Sequence, residues 1–128
     1  GGSQEYVEAL RQIVVVLMIE KKGAVEDLEE ILEIDGVDMI QWGGSDYSMS
    51  IGYPGQGQHQ DVIKAKQYVF DTAIKMGVPP RAEIGSPDQA RAYLDMGVRH
   101  FSIGTDISIL HNWWKTNGED MRNALEGF

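Results

Sequence analysis

Three places in the sequence share a short pattern that ends a helix and begins an extended segment. They are Asp35-Gly36-Val37, Met76-Gly77-Val78 and Met96-Gly97-Val98. Glycine commonly ends helices because it adopts the left-handed conformation without strain, and valine favours strands. A repeat with a period of one strand plus one helix predicts a parallel sheet with right-handed crossovers. The chain is therefore predicted to be an α/β domain, with either a small doubly wound sheet or half of a barrel.

Apolar periodicity places four strands and their helices along the chain. The predicted strands are 13–19, 37–42, 81–84 and 98–103, and the predicted helices are 4–12, 24–34, 61–76, 87–96 and 107–125. A glycine-rich loop is expected after the second strand, with a type II turn at 53–56. We interpret residues 1–3 as a linker or tag remnant and 4–128 as one domain of four βα units.

Four βα units in a chain of this length favour half of a barrel. A (βα)8 TIM barrel typically needs about 250 residues, and this chain has 128. A parallel four-stranded half of such a barrel would have two open edges and a concave face, which we expect to be apolar. Oligomerisation would close it, so the expected partner is a second copy of the chain or a missing N-terminal half-barrel.

Charge and composition exclude several classes of function. The 20 acidic and 11 basic residues give a net charge of −9, which disfavours nucleic acid and anionic membranes because both attract Lys and Arg. The absence of cysteine excludes disulfides and thiolate sites. The longest apolar run, 13–19, is too short to cross a bilayer. We expect a cytoplasmic protein.

Carboxylates follow two neighbouring predicted strands. Glu20 comes directly after the first strand, and Asp46 follows the second. Because ligands of parallel α/β folds bind beyond the carboxyl ends of the strands, both are candidate ligands of a divalent cation, which Mg²⁺-type sites hold with one or two carboxylates. Two alternatives remain open: Glu20 could pair with Lys21 or Lys22, and Asp46 could cap a helix.

Several short motifs, in this order along the chain, resemble the C-terminal half of HpcH/HpaI-type class II (metal-dependent) pyruvate aldolases. They are Met18-Ile19-Glu20, Gly43-Gly44-Ser45-Asp46-Tyr47-Ser48, Gly52-Tyr53-Pro54-Gly55-Gln56, His59, Ala90-Arg91-Ala92-Tyr93-Leu94-Asp95-Met96-Gly97 and Gly104-Thr105-Asp106. The resemblance covers nearly the whole chain after residue 3. It implies a carbon–carbon lyase that cleaves or forms 4-hydroxy-2-keto acids through a pyruvate enolate.

The resemblance also implies roles for individual residues. Glu20 and Asp46 would bind Mg²⁺ or Mn²⁺, or Co²⁺, and the backbone at Ser45 would hold the carboxylate of pyruvate or another 2-keto acid. Met18 stands where the family commonly has a substrate-binding glutamine. The family's general-base histidine and its arginine lie in the other half of the barrel, so no catalytic residue is identified here and the isolated chain is expected to be inactive.

Two other functions remain open at this point. One is a related acyl-CoA lyase of the citrate-lyase β or malyl-CoA type, which the lack of a basic patch disfavours. The other is a non-catalytic half-barrel, excised or engineered. His59, His100 and His111, together with the Trp113-Trp114 pair, are more typical of packing or surface positions than of a site.

Overall fold

Four parallel strands form one sheet in the order in which they occur along the chain. In the computed structural model, which describes residues 2–126, the strands are β1 Val16–Ile19, β2 Met39–Trp42, β3 Pro80–Ile84 and β4 His100–Ile103. Each strand pairs in parallel with the next. A doubly wound sheet reverses its strand order at a switch point, whereas this order runs in one direction. The sheet is therefore a partial barrel, as predicted.

The helices follow the predicted order with two differences. They are α1 Gln4–Arg11, α2 Lys22–Glu26, α3 Leu28–Leu32, α4 Gly44–Ser50, α5 Gln60–Met76, α6 Ala90–Asp95, preceded by a 3₁₀ turn at Pro87–Gln89, and α7 Asp106–Glu126. The helix predicted at 24–34 is divided at Asp27, which has φ −97° and ψ 19°. The loop expected after β2 instead begins with α4.

The predicted chain reversals are confirmed by the backbone. Gly77 ends α5 in the left-handed conformation, with φ 81°. Gly55 has φ 74°, and the Gln56 amide donates to the Tyr53 carbonyl at 3.1 Å, as in a type II turn. The sequence alone predicts these reversals because each depends only on a glycine and its near neighbours.

β1 is shorter than the apolar run that predicted it. The Val15 amide donates to the Asp38 carboxylate at 2.7 Å, and the Val15 carbonyl accepts from the Asp38 and Met39 amides. The regular ladder begins only after these bonds, with Val16 opposite Met39. Ile13 and Val14 therefore lie outside the sheet and are more than half exposed.

The main hydrophobic core lies between the sheet and its helices. Alternate strand residues, among them Ile19, Ile40 and Ala82, pack against α3 and α5. From α5, Val69 and Phe70 are almost completely buried. This core covers one face of the sheet.

The opposite, concave face is polar on β2 and β3, so the prediction of an apolar concave face was wrong for these two strands. The Arg81 guanidinium donates to the Gln41 side-chain carbonyl, and the Gln41 amide donates to the Glu83 carboxylate. Gln41 is 2% exposed, and its hydrogen bonds satisfy a side chain that would otherwise be costly to bury. The interior of this partial barrel is therefore held by a hydrogen-bonded row of side chains.

Among the described residues, none of the helices is both long and apolar enough to cross a membrane.

We expect the chain to self-associate in solution. β1 and β4 are open edges, which pair readily with other strands. In addition, the apolar side chains of Ile107, Ile109, Leu110, Trp113 and Trp114 on α7 are 54–74% exposed. A two-fold axis along the barrel axis would join β1 of one copy to β4 of the other in parallel. Light scattering after size exclusion should give a mass above 14.3 kDa; a stable monomer at micromolar concentration would contradict this.

Candidate metal-binding site

Glu20 leaves the end of β1 on the concave side of the sheet. A Cβ atom built on Gly43 would lie 2.6 Å from the Glu20 Cβ, 3.0 Å from its Oε2 and 3.0 Å from the Met18 Cγ. Glu20 and Met18 therefore lie on the same face, over the glycine that follows β2. The Gly43 amide donates to the Ile19 carbonyl at 3.0 Å, which fixes the two strand ends against each other.

Asp46 is the third residue of α4 rather than its cap. The cap position is Gly43, and no side chain caps this helix. The alternative that Asp46 caps a helix is therefore wrong. Because α4 begins directly at the end of β2, its first turn places Asp46 beyond the same edge of the sheet as Glu20.

One lysine joins the two carboxylates. The Lys21 Nζ lies 3.8 Å from Glu20 Oε1 and 3.8 Å from Asp46 Oδ1. Lys22, the other lysine considered for Glu20, pairs instead with Glu26 at 3.6 Å. The Lys21 side chain is 59% exposed, so each pair contributes less than about 1 kcal/mol to stability. The structure thus brings Glu20 and Asp46 around a single positive charge.

Hydrogen bonds of α4 fix the position of Asp46 relative to Glu20. The Ser50 hydroxyl accepts from the Lys22 amide at 3.1 Å and donates to the Tyr47 carbonyl at 2.8 Å. This hydroxyl therefore connects the end of α4 to the segment that follows Glu20. Inside α4, the Ser48 hydroxyl donates to the Ser45 carbonyl at 2.7 Å.

Tyr47 anchors α4 in a second, smaller core. Its ring packs against Trp42, with 4.8 Å between ring centroids, and against Val62 and Ala65 of α5. Burial raises the pKa of the Tyr47 phenol, and the nearby carboxylates of Asp61 and Glu26 raise it further. Tyr47 therefore stays neutral at physiological pH, and its packing fixes the helix that carries Asp46.

The three histidines lie on or beside three different elements. His59 is the N-cap of α5, where its Nδ1 accepts from the Asp61 amide at 3.2 Å and its ring stacks on Tyr53 with centroids 3.7 Å apart. His100 is exposed on β4, and His111 is exposed on α7. The Asp61 carboxylate oxygen Oδ2 lies 3.7 Å from the same His59 nitrogen.

The donors at this edge suit a hard divalent cation with an incomplete protein shell. Across residues 2–126, no group of three or more His, Cys, Asp or Glu side chains comes together. A structural zinc site needs four such ligands, whereas Mg²⁺-type sites use one or two carboxylates and leave the remaining positions to water and substrate. Glu20 and Asp46 match the second kind.

Sequence reasoning missed the close approach of Gly43 to Glu20, and it missed the tether from Ser50. The Gly43-Gly44 pair was the available signal. A Cβ on Gly44 would lie 2.7 Å from the Trp42 Nε1, so a side chain at either glycine would collide with a neighbour. The pair was interpreted as part of a loop and of a family motif, and no packing role was assigned to it.

The partial barrel is an α/β fold of the kind in which ligands bind beyond the carboxyl ends of the strands. Residues 3–112 match the family described as HpcH/HpaI aldolase/citrate lyase. The chain belongs to this family, as the motifs predicted, and the family's members are aldolases and lyases.

Named relatives agree with this assignment. The chain is 30% identical over 107 residues to a 5-keto-4-deoxy-D-glucarate aldolase of Escherichia coli O6:H1 (strain CFT073), with 84% of this chain and 42% of the relative covered. The aldolase of the same name from Shigella boydii serotype 18 is 29% identical with the same coverage. The chain thus spans less than half the length of these curated relatives.

Solved structures share the fold. The citrate synthase SbnG matches with a TM-score of 0.84 and 22% identity, over 98% of this chain and 53% of that one. An HpcH/HpaI aldolase/citrate lyase family protein from Burkholderia cenocepacia J2315 matches with a TM-score of 0.79 and 28% identity, over 93% of this chain and 47% of that one. Each match corresponds to about half of a larger barrel.

The contact between Gly43 and Glu20 predicts an effect of Gly43→Ala. The added methyl group would push Glu20 away from β2 and should lower the free energy of unfolding by roughly 1–3 kcal/mol, as overpacking does. Gly57→Ala is the matched control, because a Cβ at Gly57 meets nothing within 4 Å. Urea unfolding of both variants tests this; equal stabilities would show that the approach to Glu20 is not a constraint.

Proposed function

We propose that this chain is the metal-binding half of a class II pyruvate aldolase, which cleaves or forms 4-hydroxy-2-keto acids through a pyruvate enolate. Membership of the aldolase/citrate lyase family supports the reaction class, and the curated relatives it matches include aldolases that act on a keto-deoxy sugar acid. Under this proposal the chain supplies the cation site and part of the substrate site, and the base comes from the other half of a complete barrel.

The observation that carries the proposal is the convergence of two carboxylates on one positive charge. Glu20 and Asp46 come from different βα units, yet both lie within 3.8 Å of the same ammonium nitrogen. Like charges held close together are unfavourable unless a cation lies between them. The edge of the sheet is thus arranged for a cation, which we propose is Mg²⁺ or Mn²⁺, with Co²⁺ as a further candidate.

Each residue then has a specific task. When bound, the divalent ion would supply Lewis acidity at the keto and carboxylate oxygens of the 2-keto acid. Glu20 and Asp46 would hold it. Ser45 lies in the first turn of α4, where backbone amides lack partners within the helix, and its amide would orient the substrate carboxylate. Met18, adjacent to Glu20, offers only an apolar surface in place of a polar contact.

Under this proposal, the base that moves the proton of the substrate hydroxyl belongs to the other half of the barrel and not to a histidine of this chain. A general base must lie within about 3 Å of that proton's oxygen, or within one water of it. The histidines are on β4, on α7 and at the start of α5, and each is accounted for by its local contacts or by exposure. We therefore propose that the chain by itself binds the ion but does not turn over.

The acyl-CoA lyase alternative uses the same family fold and remains the second candidate. It would require cationic side chains for the phosphates of CoA. Among the described residues, Lys21 is the one cationic side chain within 4 Å of either carboxylate, which is few for a ligand with several phosphates. The aldolase is therefore the better supported of the two, and a requirement of the complete enzyme for CoA would reverse that preference.

Removal of one carboxylate should weaken the binding of the divalent cation. We expect Asp46→Ala to weaken Mn²⁺ binding at least about tenfold, or about 1.4 kcal/mol, because one of two protein ligands is lost. Glu30→Ala is the control: it removes the same charge from an exposed position on α3 and should leave the affinity unchanged. Isothermal titration of wild type and both variants measures this, and equal Mn²⁺ affinity in wild type and Asp46→Ala would rule out the site.

The purified chain should show no retro-aldol activity with Mn²⁺ above that of the free ion. Pyruvate release from a 4-hydroxy-2-keto acid, followed by reduction with lactate dehydrogenase, provides the assay. The proposal of an inactive half is contradicted if the chain turns over and Asp46→Ala abolishes that turnover, because the activity would then belong to this site.

A further inference from the structure

The Lys21 ammonium group lies next to both of the carboxylates that are the candidate cation ligands. Its Nζ is equidistant, at 3.8 Å, from Glu20 Oε1 and Asp46 Oδ1. Both distances exceed the normal length of a charge-assisted hydrogen bond, about 2.8 Å. The ammonium therefore acts as a shared counter-ion and is not tightly bound to either oxygen.

The local backbone explains why Lys21, and not its neighbour, reaches this place. Lys21 is the extended residue before α2, with φ −125° and ψ 148°. Lys22 is the first residue of the helix, and its side chain runs along the helix surface to Glu26 at 3.6 Å. Two adjacent lysines thus have separate acidic partners.

We propose that Lys21 is an internal competitor of the divalent cation: it neutralises Glu20 and Asp46 when no metal is bound and must leave them for a metal to bind. The proposal rests on the proposed function, because it takes these carboxylates as the cation ligands. An ammonium group and a divalent ion cannot both lie between the same two oxygens, because their charges repel and their volumes overlap.

The competition should be modest in size. The Lys21 side chain is 59% exposed, so it can turn into solvent without breaking buried contacts. Exposed ion pairs contribute only small amounts to stability. Loss of both pairs therefore predicts an affinity gain of roughly 3- to 10-fold when the competitor is removed. The factor should be the same for Mg²⁺ and Mn²⁺, because the ammonium leaves in both cases.

The test compares two lysines that differ in position but not in charge. Lys21→Met removes the ammonium group between the carboxylates and keeps the apolar stem. Lys22→Met removes the same charge from the neighbouring residue, whose partner is Glu26. Lys21→Arg keeps a positive charge at the site. Free Mn²⁺ is followed by its electron paramagnetic resonance signal at constant ionic strength, and Mg²⁺ is measured by displacement of Mn²⁺.

We expect Lys21→Met to bind both ions roughly 3- to 10-fold more tightly than wild type, with Lys22→Met and Lys21→Arg close to wild type. Unchanged or weaker binding by Lys21→Met would overturn the competition while leaving the proposed metal site intact. An equal gain in Lys22→Met would overturn it as well, since general charge would then be the cause. Binding by neither wild type nor Lys21→Met would overturn both this inference and the proposed function.

Discussion

The candidate site depends on two carboxylates at the edge of a parallel sheet that share one ammonium counter-ion. Glu20 and Asp46 belong to adjacent βα units, and the parallel pairing of β1 with β2 brings the units to the same edge. Near each other and without a cation, they would disfavour the folded state. The ammonium group of Lys21 offsets this repulsion at no cost in buried charge, because its side chain remains mostly in solvent.

Several ordinary contacts hold the carboxylates in place. Gly43 leaves the space that the Glu20 side chain fills. Tyr47 packs α4 into the second core, and the Ser50 hydroxyl connects the end of that helix to the segment after Glu20. None of these residues is a candidate ligand, yet each limits where a ligand can lie. The geometry of the site therefore depends on α4 as much as on the sheet.

The sequence was most informative where structure depends on near neighbours. The helix ends at Gly77 and Gly97 and the type II turn at Gly55 were predicted correctly because they involve only a few residues. The predicted helix end at Gly36 was wrong, since α3 ends at Leu32, four residues earlier. Helix α4 was missed because its cap and first residues, Gly43-Gly44-Ser45, are typical of a loop. Its stability comes from Tyr47 packing on Val62 and Ala65, which lie more than a dozen residues away.

The polar concave face shows a different kind of failure. The alternation of Arg81 and Glu83 with the buried Ala82 and Ile84 is visible in the sequence and is typical of a strand with one polar face. The expectation of an apolar concave face came instead from the interpretation of the chain as half of a barrel. The partner of Arg81 and Glu83 is Gln41, about forty residues earlier, and such a long-range pairing cannot be inferred from local pattern. For the candidate site, by contrast, one general rule was enough to select Glu20 and Asp46 as candidates. The rule is that ligands of parallel α/β folds bind beyond the carboxyl ends of the strands.

The central claim is that these two carboxylates form one cation site, and paramagnetic broadening by Mn²⁺ in amide-resolved NMR spectra tests it most directly. Substoichiometric Mn²⁺ should broaden the amide signals of residues 20–21 and 43–47 first, because broadening falls steeply with distance from the ion. The acidic segment 26–33 provides an internal comparison, since it carries many carboxylates outside the site. Broadening that begins in that segment, or that is spread evenly over the acidic surface, would contradict the account.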